Sequence, residues 1–568
     1  MTLATQTLSS APVQGKQWDV IVVGAGHSGL VASGYLARAG LHVLLLDRRP
    51  VVGGLCVTEE LFPGFRGNTV ANSAHNLDPR VVVELELERH GLEFAYPDPS
   101  AFMAFQDGRA FVSHNDAGKR QAELEKFSRG DAEQYAGLIN YISELARVLD
   151  VSFFEPPPTL AELASRLKTP EQEEAFAKLM FGSIADLVDE WLESEELKTT
   201  LVMTAINTNF AGPHTPGSPL TLLQRPLYHW STEAAAEDGK FQSRFHHLGA
   251  SRWVPLGGMG AITQALQRSA TASGVEVRTE AEVERVLVSG GRATGVVLAS
   301  GQELAATAVL MNVNPKHALL NLVSPSDLDP SFRRRVEGIN MRGQAFKAHL
   351  ALAALPRFVA AGDEAENEAF AKCGFRLAPN VAGMDRAFAE AQLGRWTSEH
   401  PMIWGAIPSA LDPSLTPEGQ HLMSLSVFYA PYDLAPGLDW EIERERLGRR
   451  VVEVVGQYVS NLDSILIGTH FLSPRDLERR FGLAGAQASH GDLMPLQYFG
   501  LRPLAGWSDY RTPVGGLYLC GVGTWPGNFV SGISGINASN AITSDLQDPE
   551  ESMRRLAARL EATASASP

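Results

Sequence analysis

The chain has 568 residues, 44 % of them apolar and 20 % charged, ordinary proportions for a globular protein able to bury a large core and divide into two or more domains. Its formal net charge of −17 argues against nucleic acid as a partner and gives no pull toward anionic lipid. The three cysteines, Cys56, Cys373 and Cys520, show no CxxC and no metal-ligand spacing, so they read as buried, inert thiols of a reducing, cytoplasmic setting with no metal site.

Residues 1–16 are rich in Thr, Ser and Ala and lack both a basic n-region and an apolar h-region, so they are expected to be a disordered lead rather than a signal peptide. No uninterrupted apolar stretch is long enough to span a bilayer. Residues 18–47, WDVIVVGAGHSGLVASGYLARAGLHVLLLD, carry the first strong signal. An apolar run rich in Val and Ile reads as a buried parallel strand. Gly24, Gly26 and Gly29 follow with GxGxxG spacing and open a helical pattern that Gly40 ends. A second apolar run then stops at Asp47, 18 residues beyond Gly29. Strand, turn, helix, strand and acid fall in the order of a dinucleotide site. Gly24 permits the tight turn, Gly26 the approach of a pyrophosphate, and Gly29 close helix packing. Ala25 and Ser28 lie inside this loop, whose N–H groups would face the phosphates. Asp47 is placed to accept from ribose hydroxyls, which disfavours NADP and leaves NAD or FAD. Arg48 is positioned to stack on or bridge toward an adenosine. Gly53 and Gly54 offer a second close approach of backbone to cofactor.

A GxGxxG unit, an acid and a Gly-Gly pair a few residues later resemble the FAD-binding start of the phytoene desaturase and amine oxidase superfamily. The PGF turn and small polar residues of LFPGFRGNTVANSAHNLDPR (61–80) continue the resemblance, with His75 and Asn76 as further candidates. It implies a Rossmann-like α/β FAD-binding domain of the glutathione-reductase type, interleaved with an α+β substrate domain. The expected division gives 17–95, 246–320 and 500–548 to the FAD domain, and 96–245 and 321–499 to the substrate domain. The ends, 1–16 and 560–568, are expected to be disordered.

FMAFQDGRAFV reads as a hairpin turning at Asp107-Gly108. Amphipathic helical patterns then run to about residue 245, interrupted at 156–158 and 212–219, as a mainly helical insertion. Its Phe153, Phe154, Met180, Phe181, Met203, Phe210, Tyr228 and Trp230 are either core or the lining of an apolar tunnel. GGMG, residues 257–260, offers another backbone approach at a helix start and looks like a GGM segment near the cofactor in the superfamily. Short alternating strands follow, and Val283 falls where relatives contact adenine. AFKAHLALAAL, from Ala345, alternates as a strand. Its Lys347 corresponds to a lysine that holds a water against the flavin in amine oxidases of the superfamily. The other reading is a strand-end lysine reaching solvent.

Residues 400–434 and 471–521 are similar to a bacterial and mitochondrial branch named pyridine nucleotide-disulphide oxidoreductase domain-containing protein 2. The likeness covers about 18–545. GLYLCGVGTWPGNFVSGISGINASNAI supplies the last anchor. The resemblance places Gly521, Gly523, Val530, Ser531, Gly532 and Gly535 against the flavin, with a helix N-terminus toward its pyrimidine end. Relatives usually carry HPGGG where this chain has Trp525-Pro526-Gly527-Asn528-Phe529, so a Trp and a Phe are expected beside the isoalloxazine.

A disulphide reductase would need paired cysteines and a second nucleotide fingerprint, and the sequence offers neither. The resemblance therefore implies an FAD-dependent dehydrogenase, desaturase or oxidase acting on a C–C or C–N bond of a largely apolar small molecule, reoxidised by oxygen or quinone. A redox-neutral isomerase and a non-catalytic flavin-binding partner protein are the alternatives. Peripheral membrane contact and a homodimer stay open.

Overall fold

The computed structural model describes residues 18–74, 76–236, 253–397, 399–527 and 530–565. Two seven-stranded sheets and a layer of helices organise them.

The first sheet grows from the apolar runs at the start of the chain. Trp18–Val23 and Val43–Leu46 pair in parallel, Val22 opposite Leu45. Glu276–Arg278 extends the sheet beyond Val43–Leu46, while Glu303–Met311 and then Leu517–Leu519 extend it on the other side, all in parallel. Side chains buried on both faces explain why these runs are continuously apolar rather than alternating. Val283–Ser289 and Arg292–Leu298 form an antiparallel hairpin against the first part of Glu303–Met311. Gly290 and Gly291 turn it, both at positive φ. The helices His27–Arg38, Gly260–Ala272 and Ile533–Gln547 pack together beside this sheet.

The second sheet runs in the spatial order Leu466–Leu472, Phe346–Leu352, His421–Val427, Ile403–Ala406, Gly374–Leu377, Ala101–Ala104, Ala110–Ser113. The pairs are antiparallel except Gly374–Leu377 with Ala101–Ala104. The expected turn at Asp107-Gly108 joins the last two strands, with Gly108 at φ 87°. One face of this sheet, including Phe346, Leu350, Phe375 and Leu425, is closed by the helix Trp440–Tyr458 through Leu447, Val451 and Val454. The opposite face carries polar side chains.

Helices from Ala117–Glu125 to Leu220–Ala236 make the insertion. Asp116, Ser128, Thr159, Thr169, Ser183 and Ser194 cap successive helix starts by accepting backbone N–H groups. Phe153, Met180 and Met203 are core here rather than tunnel lining, while Phe181 is exposed. The last helix, Pro549–Ser565, reaches into the stretch from 560 onward that sequence alone gives as disordered. Glu550 and Glu551 in its first turn and the Arg555–Glu551 pair favour its continuation. Among the described residues, no helix is long and apolar enough to cross a membrane.

Candidate FAD and substrate site

Two glycine-rich segments, widely separated in sequence, meet around one residue that sequence reading passes over, Asn312. It stands one position beyond the strand Glu303–Met311, and its own N–H donates to Val23 O at 2.8 Å. Its side-chain amide donates to Gly24 O at 2.9 Å. A Cβ on Gly24, at φ +100°, would lie 2.7 Å from Asn312 O, and one on Gly29 would lie 2.2 Å from Gly24 O. From the other side, a Cβ on Gly521 would stand 2.8 Å from Asn312 Oδ1. The only advance signal for Asn312 is its place at the end of an apolar strand, where a short polar side chain closes a turn.

The second glycine pair backs the first. Gly53 N–H donates to Ala25 O at 2.8 Å, and Gly54, at φ +58°, would place a Cβ 3.3 Å from the Gly26 Cα. Arg49 rather than Arg48 braces this loop, donating to Gly54 O at 3.2 Å and pairing with Glu59 at 2.7 Å. The Arg48 guanidinium points instead at Gly482, whose Cβ would lie 3.0 Å from Nη2. Asp47 accepts the N–H groups of Ala25 and Arg49, each at 2.8 Å, and its partial burial raises its pKa. Val283 opens the neighbouring hairpin, close to Ala281, whose N–H donates to Asp47 O at 2.9 Å.

The helix starts divide by what receives their N–H groups. His27–Arg38 begins after Gly26 with no side-chain cap, the arrangement that suits a phosphate. Ile533–Gln547 begins after Gly532, at φ +79°, with Ser531 Oγ taking only Ile533 N–H at 3.3 Å. Its Gly535 serves helix packing, because a Cβ there would lie 2.4 Å from Ser28 O, and Ser534 Oγ meets Ser28 Oγ at 3.2 Å. The GGMG start differs from expectation. The N–H groups of Met259 and Gly260 are held by Asn68 Oδ1 at 2.7 Å and Thr58 Oγ1 at 2.9 Å. That segment is a joint between chain segments, with its donors already satisfied.

Gly523 packs against Pro315 and His490, and Val530 and Ser531, further along the last anchor, are buried. This loop is organised by Arg502, a guanidinium 1 % exposed that sequence reading also misses. It donates to the carbonyls of Asp492 at 2.8 Å, Gln497 at 3.2 Å and Thr524 at 3.3 Å, and also to those of Ser489 and Val522. Burial lowers its pKa to about 10. Trp525 does not face a cofactor groove. It is fully buried against Phe153, Tyr498 and Phe499, with ring centroids 5.3–5.8 Å apart. Its size fills the helical core, which is why a bulky residue is tolerated there. Asn528, Phe529 and His75 lie outside the described residues.

The polar face of the second sheet meets the first unit through residues 68–72. Ser424 Oγ donates to Asn68 O at 3.1 Å and to Asn72 Oδ1 at 2.9 Å. On this face Lys347 is 2 % exposed and donates to Ser426 Oγ at 3.1 Å, which excludes a lysine reaching solvent. Burial pushes its pKa down to about 7. His349, two residues on, is fully buried and held neutral by burial first and by the Lys347 charge second. Its ring stacks 5.7 Å from that of His470. Cys56 and Cys520 are buried thiols, and burial pushes Cys56 up to about 12.

A parallel sheet with an antiparallel hairpin, a bare Gly-rich helix start, an acid at the end of the second strand and a separate mixed sheet define a dinucleotide-dependent oxidoreductase of two interleaved units. Residues 27–356 match the family described as flavin containing amine oxidoreductase. The chain belongs to that family, and it is an FAD-dependent oxidoreductase. It is 33 % identical to pyridine nucleotide-disulfide oxidoreductase domain-containing protein 2 of Rattus norvegicus, covering 94 % of each chain. It is 23 % identical to the lycopene-forming phytoene desaturase of Pantoea ananas, over 90 % of this chain and 96 % of that one. The fold is similar to that of cyclohexylamine oxidase from Brevibacterium oxydans, with a TM-score of 0.58 at 17 % identity, covering 94 % of this chain and 100 % of the other. The glycine cradle fits FAD: Cβ atoms at Gly24 and Gly29 would collide with the backbone that forms it.

Proposed function

We propose that this enzyme is a dehydrogenase or oxidase that removes a hydride and a proton from a C–C or C–N bond of a small molecule with a largely apolar body. FAD supplies the hydride chemistry when bound. In this reading the discontinuous unit 17–95, 246–320 and 500–548 carries the cofactor, and 96–245 with 321–499 carries the substrate. Gly24, Ala25, Gly26, Ser28, Gly29, Asp47, Gly53, Gly54 and Val283 hold the ADP half. Gly521, Gly523, Val530, Ser531 and Gly532 line the flavin half, with Gly535 setting the helix behind them.

The observation that carries the proposal is Lys347, buried on the sheet face that docks against residues 68–72. With a pKa near 7, its Nζ can hold or take a proton at neutral pH without leaving a permanent charge in the interior. Ser426 fixes the direction of Nζ. A sequence with one nucleotide fingerprint supports oxygen or a quinone as electron acceptor. The test is anaerobic mixing of the yellow holoenzyme with polyenes, amines and cyclic ketones. Bleaching of the flavin by one class supports the reading and names the substrate. A flavin that no class reduces, although dithionite does, refutes it.

A further inference from the structure

The polar face of the second sheet carries more than Lys347. Directly opposed residues form a row across neighbouring strands: Lys347 opposite Ser426, Ser426 opposite Trp404, Trp404 opposite Arg376, and Arg376 opposite Met103. Directly opposed residues share a face, so Arg376 faces the same way as Lys347, three strands along. At about 4.8 Å per strand the two backbones are about 14 Å apart.

Arg376 donates to Thr204 Oγ1 at 3.2 Å and lies 6.0 Å from the Trp404 ring, and its Nε is buried with no hydrogen-bond partner among the described residues. A second guanidinium approaches from the insertion. Arg225, on the helix Leu220–Ala236, donates to His229 at 3.3 Å. Arg225 is exposed, although desolvation lowers its pKa. Desolvation also lowers the pKa of Arg376, and the Arg225 charge lowers it further. Among the described residues neither arginine forms an ion pair with a carboxylate, and the ionisable group that favours both charges is the phenol of Tyr135. Enclosed cations are ordinarily paired, because an isolated one is costly to desolvate. A buried guanidinium nitrogen without an acceptor, with the charge of Arg225 acting on the same side chain, calls for an anion from elsewhere, and the planar fork suits a carboxylate or phosphate.

We propose that Arg376 and Arg225 form an anion subsite for one end of the substrate, so that the substrate is amphipathic, with an apolar body reaching Lys347 and a carboxylate or phosphate held about three strands away. This rests on the function proposed above and makes its substrate class narrower.

The test uses the FAD-loaded full chain and calorimetric titration with decanoate, decyl phosphate, decanol and decylamine. At least one of the two anions should bind tenfold or more tighter than decanol and decylamine. Arg376→Gln and Arg225→Gln should each remove most of that preference with flavin content unchanged, while Arg376→Lys should keep part of it and confirm a folded site. Lys347→Met should leave the preference intact. Equal binding of anions and alcohol, an unaltered preference in Arg376→Gln, or its loss in Lys347→Met alone would overturn the subsite. The bleaching screen is judged separately: a neutral substrate that reduces the flavin, combined with no anion preference, removes the subsite and leaves the dehydrogenase standing.

Discussion

The side-chain amide of Asn312 donates to the carbonyl of Gly24 at 2.9 Å, joining positions 288 residues apart. The loop that would cradle a pyrophosphate is thus shaped by the end of a strand from much later in the chain. Asn312→Ala should leave a part-buried carbonyl without this donor, destabilising the protein by about 1 kcal/mol. FAD retention should fall tenfold or more, read by flavin fluorescence released on dialysis. Retention equal to wild type would show that Gly24 holds its conformation without Asn312.

Gly29→Ala tests the cradle from its other wall. The added Cβ would sit 2.2 Å from Gly24 O, which is backbone and cannot swing aside. The variant should purify colourless or fail to accumulate. Gly301→Ala is the control, since nothing lies within 4 Å of its Cβ position. There the positive φ alone should cost about 1 kcal/mol and leave the protein yellow.

Lys347 makes a pH-dependent prediction. Its folded pKa, about 7, lies below the ordinary lysine value of 10.5, so between those values the unfolded chain binds more protons than the folded one. Stability contributed by this group therefore rises with pH across that window, and below it the full penalty applies. Lys347→Met should be more stable than wild type by a few kcal/mol (order of magnitude) near pH 6, with the advantage fading toward pH 10. Urea melts at several pH values measure it. The same variant should slow flavin reduction or reoxidation at least tenfold; unchanged rates in both half-reactions would remove Lys347 from the chemistry.

Arg502 is fully buried and spreads its donors over a ring of backbone carbonyls. Arg502→Leu should destabilise by about 3 kcal/mol or more, because several buried acceptors lose their donor at once. Arg502→Lys should rescue little, since one ammonium cannot reproduce the fork. A melting temperature within a degree or two of wild type for either variant would contradict this account.

The dinucleotide unit is legible in the sequence because its signals are local. The Val- and Leu-rich runs, the glycine spacing and the acid at position 47 each follow from backbone rules acting within about thirty residues. The lysine at 347 is legible by resemblance, and its burial excludes the reading in which it reaches solvent. What stays hidden depends on distant neighbours. Asn312, Arg502, Arg225 and Arg376 are unremarkable in sequence and acquire roles only from what folds against them. GGMG misleads for the same reason: its glycines do open a helix, but Thr58 and Asn68 arrive from elsewhere to take the N–H groups. Trp525 misleads because the resemblance places its segment beside the flavin, while its side chain turns into the helical core.

The burial of Trp525 also bears on how a substrate gets in. The segment that returns to the parallel sheet drives this indole among Phe153, Tyr498 and Phe499, so the helical insertion and the nucleotide unit are welded by a common interior. Swinging one against the other about a hinge would tear aromatic surface into water. That packing favours entry by local breathing, with side chains and short loops yielding while the two bodies keep their relative pose.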